Sequence, residues 1–290
     1  MNPAQQCNRI AGLAAELALK SLLPENDSPA TGSPGSPRPL QLWQSALGRL
    51  LLSKDAHTNC DWARWLELWQ NPAMKVTDEL GHSRPVYRDL LLHVGLMVMQ
   101  QIPVPLRPSM NNPPIPPSTV PEHLQWWQWL LQLESAKLNH DPLMPVASIL
   151  AQLDAVLAQP GEDGSLHPMH PDKSLDGWTW RELLGLHALA HVYTLHPSAH
   201  RLDRLREAVA FHMDNTQPDN TTNQPWALPA FVIAGAVTLA EQQLHDVMAH
   251  ASTLPGNRPP VITGLLLADS ARLLQAMQFL EPSHGHGWAL

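Results

Sequence analysis

A chain of 290 residues with 44% hydrophobic content can bury a large core, as one big domain or as two small ones. Its 18 basic and 26 acidic residues give a formal net charge of −8, and the basic residues form no run, so the sequence predicts no binding to nucleic acid. Cys7 and Cys60 are the two cysteines and lie far apart, which argues against a disulfide framework or a thiolate metal site and predicts a reduced, cytoplasmic setting.

The first apolar segment, from Ile10 to Leu23, contains Glu16 and Lys20 and has neither a basic leader nor a small-residue cleavage site. It therefore predicts an amphipathic helix and not a signal peptide. Since no uncharged apolar stretch reaches the roughly 18 residues of a bilayer span, we expect no membrane association.

Apolar residues recur at helical spacing along most of the chain, and strand alternation is nowhere convincing, so we predict an all-α protein. An N-terminal helix at 1–23 is followed by a flexible linker at 24–39 and a helical domain at 40–290. The Pro-rich stretch 102–121 suits a strap across that domain or a boundary between two halves, and we favour the strap. Within the domain, helices are predicted near 40–53, 61–70, 85–101, 121–137, 144–158, 177–196, 199–213, 225–240, 241–251 and 261–278.

These helices are of two kinds. Those near 199–213 and 144–158 carry polar faces, whereas 183–195 and 225–240 are apolar nearly all round and must be buried on every side. Amphipathic outer helices that alternate with apolar inner ones predict an α/α toroid, a complete or incomplete ring of helical hairpins.

The loop from Gln159 to Leu166 contains Asp163-Gly164-Ser165 and precedes one of the apolar helices. It resembles the Gln and Asp-Gly-Ser loops that precede inner helices in the terpenoid cyclase and protein prenyltransferase repeat. The resemblance implies the toroid fold only, because the catalytic acid motif of the cyclases and the zinc-binding set of the prenyltransferases are absent from this sequence.

Two polar loops, at 159–180 and 212–226, would line one rim of such a ring. Their amides, hydroxyls and tryptophans could hold a small polar ligand, although for 212–226 a well-capped loop is the interpretation that we favour. The candidate ligand-binding residues are Trp178, Trp180, His187, Asn215, Gln217, Thr222 and Trp226.

His187 and His191 lie four residues apart on one helical face, so their imidazoles could share a metal ion, with His212 or Asp176 completing the ligands. Because the chain has 16 histidines, we take ordinary core or rim histidines as the default. The sequence therefore predicts no bound metal and no cofactor.

Acid and base chemistry is the other possibility at this rim. Two of Asp163, Asp176, Glu182 and Asp219 could face each other at the roughly 5–10 Å that glycoside cleavage requires. The alternative is that these acids cap helices or stabilise helix dipoles.

The sequence leaves three functional hypotheses. The first is a toroid that binds a small polar ligand or a protein partner at the rim. The second is a hydrolase or lyase acting on a carbohydrate-like substrate, and the third is a purely structural or interaction module. The tryptophans near 62–69 and 126–129 are expected to be core residues.

Overall fold

The computed structural model of the protein describes residues 2–22, 62–71, 74–78, 81–100, 122–139, 146–159, 164–167, 175–215 and 224–277. In these ranges the regular structure is helical, apart from an isolated antiparallel bridge between Thr77 and Ser83. The predicted linker 24–39, the predicted helix near 40–53 and the predicted strap 102–121 lie outside the described ranges.

The described ranges contain ten α-helices, which confirms the all-α prediction. They are α1 Pro3–Leu22, α2 Trp62–Gln70, α3 Pro85–Gln100, α4 Glu122–Asn139, α5 Val146–Leu157, α6 Leu175–Leu195, α7 Ala199–Asn215, α8 Leu228–Ile233, α9 Val237–Ser252 and α10 Val261–Met277. None of these helices has the length and apolar character needed to cross a membrane.

The predicted helix at 225–240 is divided in the structure. Helix α8 ends at Ile233, and Gly235 takes a left-handed conformation with φ 87° before α9 begins at Val237. A left-handed residue cannot continue an α-helix, and glycine adopts this conformation without a side-chain clash. Helix α9 then continues through the segment that was predicted as a separate helix at 241–251.

Five helices make contacts in a cyclic order. Helix α3 packs against α4, α4 against α6, α6 against α8, α8 against α10, and α10 against α3 again. The other helices pack against members of this set or against each other: α1 against α10 and α9, α2 against α3, α5 against α4 and α7, and α7 against α6. Buried apolar side chains from both groups form one continuous core.

Helices α3, α4 and α6 run in the same direction. Along α3 and α4, Gln128 bonds Asp89 and, further on, Glu134 bonds His93. Between α3 and α6, the guanidinium of Arg84, the residue before α3, lies 4.5 Å from the ring of Trp180, and the rings of His93 and His191 lie 4.3 Å apart further along both helices.

The N-terminal helix is antiparallel to the last described helix. Ser21 donates to the carbonyl oxygen of Pro260 at 3.0 Å, and near the other end of α1 the thiol of Cys7 lies 3.8 Å from the carbonyl oxygen of Leu274. At Gly264 a Cβ atom would collide with the side chain of Ser21, so glycine permits the close approach of the two helices. Helix α1 is therefore packed on α10 and also contacts α9.

Large aromatic side chains fill much of the core. Trp65, Trp126 and Trp127 are each no more than 1% exposed, which confirms the prediction that these tryptophans are core residues. Each aromatic side chain of this size removes about 150–250 Å² from water, so they contribute much of the apolar burial.

Candidate metal centre

Five buried titratable side chains meet in the middle of the cyclic set of helices. They come from α3, α4, α6 and α10, and each is at most 5% exposed: His93, Glu134, His187, His191 and Asp269. Burying groups of this kind costs free energy unless they are hydrogen-bonded or bind an ion. Their hydrogen bonds therefore decide what the cluster does.

Asp269 lies at the centre of the cluster. Its Oδ1 is 2.9 Å from Nε2 of His93, and its Oδ2 is 2.8 Å from Nε2 of His187 and 2.7 Å from Nε2 of His191. Burial alone would raise the pKa of Asp269, but the charges of His191 and His93 and hydrogen bonds from His187 and His191 lower it well below its ordinary value. The side chain is an ionised carboxylate on which three imidazoles converge.

His93 lies between two carboxyl groups. Its Nδ1 is 2.7 Å from Oε2 of Glu134, and its Nε2 faces Asp269. Burial alone would lower the pKa of His93, but the two carboxyl groups together raise it to about 10. Both ring nitrogens therefore carry protons and donate them to carboxylates.

His187 is held in the opposite charge state. The backbone N–H of Ala227 donates to Nδ1 of His187 at 3.2 Å, so this nitrogen carries a lone pair and Nε2 carries the proton. Burial lowers the pKa of His187 to about 4, although the hydrogen bond and charge of Asp269 act in the other direction. The ring is a neutral imidazole that donates to Asp269.

The local sequence explains how these groups reach one place. His187 and His191 are four residues apart on α6, so they lie on the same helical face. His93 lies in α3 and Asp269 in α10. Most residues of both helices are buried, so both side chains are held in the interior. Ala227 has φ 65°, a left-handed conformation that is uncommon for alanine, at the residue preceding α8.

Three of the five groups have the geometry of a metal-binding set. Ligand atoms of His93, His191 and Asp269 all lie within 4.8 Å of one another. Two imidazoles and one carboxylate are ligands that zinc, iron(II) and similar divalent ions accept in proteins. Glu134 would retain the Nδ1 proton of His93 and leave Nε2 for the ion, an arrangement that raises the basicity of a ligating imidazole.

Glu182, one of the predicted catalytic acids, holds a loop. Its Oε1 accepts the backbone N–H and the ring Nδ1–H of His167, both at 2.6 Å, and its Oε2 accepts the backbone N–H of Leu166 at 2.7 Å. Burial would raise the pKa of Glu182, but the hydrogen bonds and charges of His167 and His212 lower it to about 2. The carboxylate thus ties the 164–167 loop to the first half of α6.

The same loop is fastened by two tryptophans. Trp126 donates its indole N–H to Nε2 of His167 at 2.8 Å, and Trp178 donates to the carbonyl oxygen of His167 at 3.2 Å. Trp178, a predicted ligand-binding residue, is 2% exposed and packs edge-on against Phe211. Its indole is part of the core beneath the loop.

The other predicted rim residues occupy several different environments. Trp226 is fully buried and donates to Gln224 at 3.0 Å, while Trp180 is half-buried beside Arg84. Asn215 is exposed at the end of α7 and donates to the carbonyl oxygen of Phe211 at 3.1 Å.

The remaining candidate residues also lie in different places, and four of them lie outside the described ranges. Asp176 is in the first turn of α6. Nε2 of His212 lies 3.7 Å from Oε2 of Glu182. His212 therefore belongs to a second cluster, formed with Glu182 and His167, and not to the cluster of His187 and His191. The other predicted residues lie outside the described ranges: Asp163, Gln217, Asp219 and Thr222.

Sequence reasoning singled out His187 and His191 but missed the partners that complete the cluster, His93, Glu134 and Asp269. A signal for them exists in the sequence. Asp269 is the one acid in the largely apolar helix α10, whose other charged residue is Arg272, and a buried acid of this kind needs partners.

No family model, curated protein or solved structure matches this chain.

Proposed function

We propose that this protein is an α/α toroid that binds one divalent transition-metal ion at its centre, through Nε2 of His93, Nε2 of His191 and a carboxylate oxygen of Asp269. The observation that carries the proposal is the convergence of these three buried ligands from three helices within 4.8 Å. A dication there would balance both buried carboxylates of the cluster, Glu134 and Asp269.

Two observations support the toroid. The contacts of α3, α4, α6, α8 and α10 close on themselves, and α3, α4 and α6 run in one direction, as inner helices of a ring of hairpins do. This is also the fold implied by the resemblance of the Gln159–Leu166 loop to the terpenoid cyclase and prenyltransferase repeat. A cytoplasmic location belongs to the same proposal and rests on the low cysteine content.

A metal ion with three protein ligands keeps a coordination position for water or a substrate oxygen. This favours the hydrolase or lyase hypothesis over a purely structural module, with a small polar molecule as substrate. The ion, and not the pair of acids expected from the sequence, would activate water or polarise the substrate.

The exposed fractions of the ligands suggest how that molecule reaches the ion. The side chain of His191 is 7% exposed, whereas the side chains of His93 and Asp269 have no exposure. His191 lies in the C-terminal half of α6, so we place the approach at the C-terminal ends of α3, α4 and α6. The described residues 164–167 of one predicted rim loop are bound to Glu182 in the first half of α6, away from this end.

Metal analysis of untagged protein tests the proposal. We expect about one zinc, iron or manganese ion per chain in the wild type and almost none in Asp269→Asn or His191→Ala, since each change removes one of three ligands. His245→Ala is the matched control, because this histidine is exposed on α9 and should leave the metal content unchanged. A wild type without metal after reconstitution, or equal binding by all four proteins, would contradict the proposal.

A further inference from the structure

Three imidazoles face Asp269, but they are not chemically equivalent. A backbone N–H can only donate, so the bond from Ala227 requires a lone pair on Nδ1 of His187. The proton of this neutral ring is therefore on Nε2, which lies 2.8 Å from Oδ2 of Asp269. Freeing this nitrogen for a metal ion would turn His187 into an imidazolate, whereas His93 can release its Nε2 proton and remain a neutral imidazole with its Nδ1 proton on Glu134.

We infer that His187 is a positioning residue and not a ligand: it donates Nε2–H to Oδ2 of Asp269 and so turns Oδ1 of that carboxylate toward the metal ion. The inference rests on the proposed metal centre and deepens it. It assigns the proton on His187, the ligating oxygen of Asp269 and the two imidazoles that ligate, His93 and His191.

The protein holds His187 in this state from three sides. Trp127 lies nearly parallel to its ring, at 15° and 5.8 Å between centroids, and Trp226 meets the ring edge-on at 5.6 Å. The turn that supplies the Ala227 N–H is anchored by Gln243, which donates to the carbonyl oxygen of Trp226 at 2.7 Å. Rotation of the imidazole would lose both its hydrogen bonds, so the tautomer and the orientation are fixed together.

The left-handed backbone at Ala227 has a role in this arrangement. Its φ of 65° directs the N–H at the residue preceding α8 toward His187. Non-glycine residues in this conformation cost about 1 kcal/mol or more and persist where the surrounding structure requires them. At Ala227 this conformation is needed for the hydrogen bond to Nδ1 of His187, which fixes the tautomer of the imidazole.

Two substitutions of similar shape test the roles of the two ring nitrogens of His187 separately. In His187→Gln, the amide nitrogen takes the place of Nε2 and keeps the donor to Asp269. In His187→Asn, the amide oxygen takes the place of Nδ1 and keeps the acceptor for Ala227, but the donor to Asp269 is lost. Loss of a hydrogen bond to a ligating side chain typically weakens metal binding by about 10- to 100-fold.

Cobalt(II) titration of the metal-free proteins reads out both affinity and coordination. We expect His187→Gln to bind within about threefold of wild type with an unchanged visible spectrum, and His187→Asn to bind 10- to 100-fold more weakly with a shifted spectrum. His212→Gln is the control, a buried histidine of the other cluster, and should resemble wild type. Helical content by circular dichroism verifies that each variant folds.

Several outcomes would overturn the inference. If His187→Gln loses the ion as completely as His191→Ala does, His187 is a ligand, while the metal centre itself stands. If Gln and Asn weaken binding equally in folded proteins, the donor to Asp269 has no special role. A wild type that binds no cobalt removes the metal centre and the inference together.

A variant-free measurement covers the case in which His187→Asn does not fold. Long-range proton–nitrogen NMR of the zinc-loaded wild type distinguishes protonated, free and metal-bound ring nitrogens. We expect His187 to show a protonated Nε2 and a free Nδ1, with the metal on Nε2 of His93 and His191. A metal-bound nitrogen in His187 would refute the assignment.

Discussion

Nδ1 of His93 lies 2.7 Å from Oε2 of Glu134, and both side chains are at most 3% exposed. Such a pair fixes which imidazole nitrogen faces the ion, because the carboxylate holds the proton on the other one. Glu134 thereby links α4 to the proposed metal centre without providing a ligand.

The variant Glu134→Gln should keep one metal ion per chain but bind it about 10- to 100-fold more weakly, because an amide oxygen accepts the Nδ1 proton less strongly than a carboxylate does. Competition with a chelator of known affinity measures the change. Glu207→Gln makes the same substitution at an exposed site on α7, so its affinity should equal that of the wild type. Affinities that agree between Glu134→Gln and wild type would show that the Glu134 contact is irrelevant to metal binding.

Glu182→Gln should destabilise the protein by roughly 3 kcal/mol at pH 7. The carboxylate accepts hydrogen bonds from N–H groups of Leu166 and His167, and the amide nitrogen of glutamine cannot accept them. The pKa of Glu182 is about 2 in the folded protein against an ordinary 4.5. The ionised carboxylate therefore stabilises the fold fully above pH 4.5, and this contribution is lost as the pH falls from 4.5 to 2. The difference in free energy of unfolding between wild type and Glu182→Gln should therefore decrease between pH 4.5 and pH 2.

Urea unfolding at pH 7, 4 and 3 measures this gap. Glu16→Gln, at an exposed position on α1, is the matched control and should show a small gap at every pH. A gap for Glu182→Gln that is constant from pH 7 to pH 3 would mean that the carboxylate charge contributes nothing to folding.

Gly95→Ala should destabilise the protein by about 1–3 kcal/mol, because the new Cβ would overlap the indole of Trp65 and force α2 away from α3. Gly12→Ala makes the same change in α1, where nothing lies within 4 Å of the new atom. The control should gain about 0.5–1 kcal/mol from the better helix propensity of alanine. Thermal unfolding compares the two, and equal shifts would disprove the tight contact.

Arg201 and Asp154 join α7 to α5 through two parallel hydrogen bonds of 2.8 and 2.7 Å. Arg201→Lys should cost about 1 kcal/mol or more, since an ammonium group cannot reproduce the paired geometry. A double-mutant cycle with Asp154→Asn measures the coupling between the two side chains in urea unfolding. Strictly additive effects would show that the pair contributes no stability of its own.

The helical class and most helix positions were predictable because apolar periodicity is a local property. The helix predicted at 85–101 forms from Pro85 to Gln100, and the one at 261–278 from Val261 to Met277. The break at Gly235 was missed because the apolar pattern continues through it, and only the backbone conformation marks the end of α8.

The candidate site was predictable only in part. His187 and His191 were recognised from their spacing within one helix, but their shared partner Asp269 is about 80 residues away in the sequence. His212 was considered as a further ligand beside them, yet it faces Glu182. Contacts between distant helices depend on packing, which the spacing of residues within one helix does not encode.

The packing of α1 on α10 has a consequence for folding during synthesis. Ser21 and Pro260, which bond across this contact, are separated by 239 positions, so α1 leaves the ribosome long before its partner exists. The apolar face of α1 that packs on α10 stays exposed until α10 has been synthesised. During this interval aggregation competes with folding. Because α10 also carries Asp269, a nascent chain acquires the carboxylate of the proposed metal centre and the docking surface for α1 in the same late step.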